Sequence, residues 1–301
     1  YFAGALTPLV NGSFTVKHTT NNAAVSGSYR VGGFIGKVQD LQQRAVVSFD
    51  ECLNNGFVTG GGEGVGGFVG QFENNVGVTM IISNSTNKGT VSGGIHQVGG
   101  FVGIINGNVN ITVTFSNSTN NGKVTGSVFN VGGFIGCDGW NSNSITRIDN
   151  CTNNGTVTGS GRVGGFIGNL WKNTNMTVTI SNSINNGKVT GNIYEGGLVG
   201  YICSYFQTHS LSLDIMSSAN NGIVTSKQEL ACGLFCVDLN YRYNVKTTIK
   251  NSINKGSVNG ATYGHGLADT VTVAKNVVSM GDVTGSSGSF TFWKTPTDVH
   301  L

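Results

Sequence analysis

Acid–base hydrolysis needs carboxylates converging with basic partners on one exposed face. The 14 acidic residues of this 301-residue sequence are dispersed instead. Asp50 and Glu51 are adjacent, so on a strand they point to opposite sides, and Asp138 and Asp149 have only Arg147 nearby. The five histidines (His18, His96, His209, His265, His300) lie far apart without metal-ligand spacing. Gly62, Gly64 and Gly67 satisfy G-x-G-x-x-G, but no helix follows them. No G-x-S-x-G elbow and no calcium-binding G-G-x-G-x-D repeat occurs. No catalytic residue, metal ligand or cofactor is therefore assigned.

Three other groups of residues could do chemistry. Seven N-x-[ST] sequons occur, at Asn11, Asn84, Asn110, Asn117, Asn150, Asn154 and Asn175. The aromatic residues Trp140, Trp171, Tyr201, Tyr205 and Tyr241, with Phe72, Phe206 and Tyr243, cluster in variable stretches and could stack on a sugar or a partner; the alternative is that they shield the side of the fold. Six cysteines are present, which admits disulfides.

The elements that would position these residues follow from an internal repeat. The motif N-x-G-x-V-x-G recurs from Asn21, Asn54, Asn87, Asn120, Asn153, Asn185 and Asn254, with a weaker copy at Asn220. A second motif, V-G-G-F-[IV]-G, sits midway between copies, at Val31, Val65, Val98, Val131 and Val163. It reads EGGLVG from Glu195 and degenerates at Cys232 to Cys236 and His265 to Asp269. A third segment alternates apolar and polar residues, as in Ile111-Thr112-Val113-Thr114-Phe115. Glycine appears 48 times, proline twice, and only 10% of residues are charged, a composition of strands and turns rather than amphipathic helices.

Three strands per unit, separated by glycine or asparagine corners, predict an all-β parallel β-helix of about eight coils, each of roughly 33 residues. One repeat cannot bury its own apolar face, whereas stacked coils bury it continuously. Rungs about 4.8 Å apart give a rod about 40 Å long. Residues 21–285 form the solenoid, 1–20 a lead-in strand or cap, and 286–301 a cap or a joint to a following unit. The chain begins at Tyr1 without a methionine, which reads as a processed product or a fragment.

Stacking turns the columns into predictions. Val25, Val58, Val91, Val124, Val157, Val189, Val224, Val258 and Val283 face inward, as do Phe49, Ile82, Phe115, Ile148, Ile180, Ile215 and Ile249. Asn21, Asn54, Asn87, Asn120, Asn153, Asn185, Asn220 and Asn254 form an amide ladder at a corner, or alternatively only tolerate left-handed turns there. Phe34 and Ile35, and their equivalents, would point to opposite faces of a regular strand. Either a glycine bulge turns both inward, or one apolar column faces out as a lateral assembly surface.

The coils also sort the candidates. Asn84, Asn117 and Asn150 share one column, where glycans about 4.8 Å apart would collide, so Asn11, Asn110, Asn154 and Asn175 are the preferred glycosylation sites. Cys52 and Cys151 fall in a column of serines and lie three coils apart. Cys203 and Cys236 are expected on neighbouring coils near one corner, where they could pair, whereas Cys232 and Cys236 within one strand would be too far apart.

With these motifs, V-G-G-[FL]-[IV]-G followed by N-x-G-x-V-x-G over about residues 21–285, the chain resembles the GLUG-motif repeats of microbial surface and secreted proteins. Gly197-Leu198-Val199-Gly200 matches that core literally, and other copies carry phenylalanine for leucine. The resemblance implies an extracellular, often adhesin-like repeat protein without catalytic residues. The expected function is a non-catalytic structural or adhesive module of a surface or fibre-forming glycoprotein. The alternatives are a carbohydrate- or host-receptor-binding module using Trp140, Trp171, Tyr201, Tyr205 and Tyr241, and, less favoured, a polysaccharide-degrading β-helix. Partners would be further copies of the chain, neighbouring surface proteins or glycans. A net charge of +3 from dispersed basic residues provides no nucleic-acid footprint, and no apolar run is long enough to insert in a membrane.

Overall fold

The computed structural model describes residues 3–204, 208–242 and 244–290, and among them every regular element is a strand. The chain winds as a parallel β-solenoid in which each strand pairs with its equivalent one coil away. Each coil carries five short strands, exemplified by Val65–Gly66, Val69–Glu73, Thr79–Ser83, Thr86–Asn87 and Val91–Gly93. Three segments per coil were expected; each motif segment breaks in two at its glycines. The five sheets contain eight or nine strands, with the register Val65 to Val98, Val69 to Val102, Ile82 to Phe115, Asn87 to Asn120 and Val91 to Val124. Ala3–Leu6 and Ser13–Lys17 already belong to this stack, and Gly288–Phe290 continues it.

Each coil encloses two apolar compartments. The smaller is built from two facing valine columns, such as Val58 and Val65 in one coil and Val91 and Val98 in the next. A Cβ at Gly93 would lie 2.3 Å from the Val98 methyl carbon, which is why the column beside the valines is glycine. The larger compartment holds the inward residues of the alternating strands together with both apolar residues of the glycine motif. Phe68 and Val69 are both fully buried, because their backbone N–H groups donate to the same Phe101 carbonyl, at 2.9 and 3.0 Å, as the chain turns a corner between them. The same corner recurs at Phe34 and Ile35, so no apolar strip faces out there. The phenylalanines stack through the rod at centroid spacings of 4.8, 4.8, 4.7 and 5.0 Å from Phe34 to Phe166.

Two buried amide ladders close the coils. From Asn21 to Asn254 each Nδ2 donates to the next Oδ1 at 2.7–2.8 Å. The second proton of each amide goes to the carbonyl two residues on, as from Asn120 to Gly122 at 3.0 Å. A Cβ on Gly100 would lie 2.9 Å from Asn120 Oδ1, so the second glycine of the motif lets the ladder sit against the backbone. A second ladder, Asn75, Asn108 and Asn141, was not anticipated; Nδ2 donates to the next Oδ1 at 2.9 Å at its first two steps. Its Oδ1 atoms also accept backbone N–H groups of the preceding coil, and Asn173 does so from Asn141 at 2.9 Å.

Candidate functional site

The edge expected to carry a partner surface is formed where the Val69–Glu73 sheet faces the chain entering the following valine. Its outward column runs Lys37, Gln71, Ile104, Cys137, Asn169 and Tyr201. Lys37 pairs with Glu73 near its start, and Asn169 Nδ2 donates to Asn130 Oδ1 at 3.0 Å further along. The column ends in Tyr201, and Trp140 and Trp171 lie further along the same edge, but these rings already have partners. Arg162 stacks 4.7 Å from the Tyr201 centroid and 5.3 Å from that of Phe129. Lys172 Nζ lies 4.5 Å from the centroids of both Trp140 and Trp171.

This corrects the expected surface. Trp140 is 50% exposed and Trp171 half-buried, whereas Tyr201 is 2% exposed beneath Arg162, its hydroxyl donating to Asp238. Phe72 belongs to the core, because its position in the strand points inward. Tyr205 lies outside the described residues, as does the side chain of Tyr241 in the strand Phe235–Arg242.

The repeat breaks down over the coils that follow. In the inward column that begins with Val31, Glu195 follows Val163, and Ala231 and Gly264 come next. Glu195 is fully buried, and burial pushes its carboxyl up to about 8. Its Oε1 accepts the Ile193 N–H at 3.1 Å. The eight-residue strand Phe235–Arg242 then pairs with Val199–Ser204 through shifts of register.

Beside this irregular strand lies a cleft of about 560 Å³. Leu230 and Val237 supply apolar lining, Tyr194 and Tyr263 aromatic walls, and Glu229, Asp238 and Asp269 carboxylates. Asp238 Oδ1 accepts the Asn240 N–H at 2.9 Å, and Asp269 Oδ1 the Val237 N–H at 2.8 Å. Burial first, then the charges of Glu229 and Asp238, push the Tyr194 phenol up to about 12, against the opposing charge of Arg162. Burial holds the His265 imidazole below its usual value. Among the described residues, no group of three or more His, Cys, Asp or Glu side chains is placed to hold a metal ion. None of the cleft residues was singled out from the sequence as a site; the signal was there in the loss of the valine and glycine columns after Tyr194.

The disulfide also differs from expectation. Cys232 is bonded to Cys236, and Cys203 is a buried free thiol. Cys232 ends one strand and Cys236 lies in the next, beyond a corner, so their Cα atoms are 5.7 Å apart rather than a strand's length. Cys203 lies further along its strand, past Ile202, which pairs with Val237, and so is displaced from Cys236. Burial pushes the Cys203 thiol up to about 11.

Asn11, Asn110, Asn154 and Asn175 are all exposed. Asn154 sits within an outer amide row, donating to Asn121 at 2.8 Å and accepting from Asn186 at 2.9 Å, and Asn175 donates to Asn143 at 2.8 Å. Asn84, Asn117 and Asn150 form another such row.

No family model and no curated protein matches the chain. Among solved structures it is similar to a protein described as a "putative immunoglobulin A1 protease from Bacteroides ovatus", with 17% identity, 88% of this chain and 77% of that chain covered, and a TM-score of 0.43. At that level the likeness carries no functional argument.

Proposed function

We propose that this chain is a non-catalytic structural or adhesive module of an extracellular surface or fibre-forming glycoprotein, of the GLUG-repeat type. The observation that carries the reading is where the polar groups go. Asparagine amides are committed to ladders along the rod, and an aromatic-walled cleft at the C-terminal coils is open to a ligand. The rod acts as a rigid spacer that presents this cleft, and further copies of the chain or neighbouring surface proteins are its partners. A sugar-stacking role for the aromatic edge is disfavoured, because Arg162 and Lys172 already occupy faces of Tyr201, Trp140 and Trp171. Glycoside hydrolysis would require a proton-donating carboxyl opposite a second carboxylate, whereas Asp238 and Asp269 each accept a backbone N–H within the wall.

Electron microscopy of the purified chain, with adhesion of chain-coated beads to cell surfaces and a polysaccharide-release assay, tests the reading. Filaments or bead adhesion without sugar release are expected. Sustained polysaccharide turnover that Asp238→Asn abolishes overturns it.

A further inference from the structure

The cleft volume of about 560 Å³ falls in the range of roughly 300–1,000 Å³ usual for sites that enclose a small group. Its lining is largely carbon, from Leu230, Val237 and the rings of Tyr194 and Tyr263, and its polar edge is acidic. Glu229 stands exposed at the rim, while Asp238 is 7% exposed in the wall. The Arg162 guanidinium lies stacked on Tyr201, whose hydroxyl donates to Asp238. Such a site suits a group with an apolar stem and a cationic head: the stem lies along Leu230 and Val237, and the head meets the Tyr263 ring and Glu229, since Tyr194 packs on Tyr201 and Asp238 already accepts from Tyr201 and Asn240. The chain uses the same pairing internally, with Lys172 between Trp140 and Trp171.

We propose that the cleft walled by Tyr194 and Tyr263 binds a primary amine or guanidinium carried on an aliphatic stem, as in a lysine or arginine side chain of a partner protein. This rests on the adhesive reading and names the chemistry its recognition element takes. An anionic sugar would be repelled by Glu229 and Asp238. A neutral sugar could donate hydroxyls to a carboxylate but would bring no positive charge to pair with Glu229.

Calorimetric titration of the full chain with cadaverine, agmatine, Nα-acetyl-lysine methylamide, a lysine-rich peptide and neutral cellotriose provides the test. The amines and agmatine should bind, cellotriose should not, and 0.5 M salt should weaken binding. Glu229→Gln, a change at an exposed position, should weaken binding about tenfold, the loss of one charge-assisted contact. Glu63→Gln, the same change in an early coil, should leave it unaltered. Preference for the peptide over cadaverine identifies a protein side chain as the source, and the reverse a free polyamine. Amine binding that Glu229→Gln and Tyr263→Ala both leave unchanged, or binding of cellotriose alone, overturns the inference. The adhesive reading fails separately, if wild-type beads neither adhere nor associate while the amines still bind.

Discussion

Replacing Asn120 by alanine removes one rung from the middle of the buried amide ladder. Asn120 is fully buried, donates to Asn153 Oδ1 at 2.8 Å and to the Gly122 carbonyl at 3.0 Å, and accepts from Asn87 Nδ2 at 2.8 Å. Three hydrogen bonds disappear, and polar atoms of Asn87, Gly122 and Asn153 each lose a partner where water does not reach. At about 1–2 kcal/mol for each such loss, the cost is about 3–6 kcal/mol. The adjacent Asn121→Ala is the control: Asn121 is exposed, accepts one bond from Asn154, and should cost below about 1 kcal/mol. Urea unfolding followed by circular dichroism measures both, and hydrogen exchange should place the loosening of Asn120→Ala in the coils from Asn87 to Asn153. Because solenoids lose cooperativity when a coil is weakened, a broadened transition is also expected. If the two variants unfold within about 0.5 kcal/mol of one another, the ladder contributes no more than an exposed amide row and the reasoning fails.

Further tests begin with two carboxyls that stand in otherwise largely apolar inward columns. Burial pushes the Asp138 carboxyl, bonded to Asn141 and Thr146, up to about 7 and that of Glu195 up to about 8, from ordinary values of 3.8 and 4.5. The folded state therefore holds these protons more tightly than the unfolded chain: their stabilising effect is full below about pH 4 and is lost as pH rises towards 8, by about 4 kcal/mol per group. Urea midpoints across that window should fall for the wild type and flatten in Asp138→Asn and Glu195→Gln; unchanged slopes would refute the burial argument. Cys232→Ser with Cys236→Ser should cost about 2 kcal/mol, since the disulfide closes only a short loop, and peptide mapping should find Cys203 alkylated only after unfolding. Deamidation at Asn121-Gly122 and Asn154-Gly155 should be slow in the native protein and accelerate on unfolding, by mass spectrometry. The glycine nitrogens that would attack are held as donors to Asn87 and Asn120 carbonyls.

What could be read from the sequence was whatever repeats. Identical residues at a fixed spacing stack on themselves in a parallel solenoid, so Val91 over Val58, Ile82 over Phe49 and Asn87 over Asn54 follow from the period alone. The second ladder had the same kind of signal, Asn75, Asn108 and Asn141 at a spacing of 33, but it lay within stretches that otherwise vary. The period does not determine the path of the chain within a coil. That Phe68 and Val69 both point inward depends on a corner closed by one shared carbonyl, and that Cys232 meets Cys236 depends on the same corner in a later coil, where Leu234 and Phe235 share the Leu267 carbonyl. The aromatic edge likewise needed three dimensions, since Arg162 and Tyr201 lie on neighbouring coils and their sequence separation says nothing of their stacking. The cleft arises where the columns end, so no repeating pattern could predict its shape. Its lining comes from three successive coils: Tyr194, Leu230 and Tyr263 stack in regular register, and the irregular strand Phe235–Arg242 sets Val237 and Asp238 beside them.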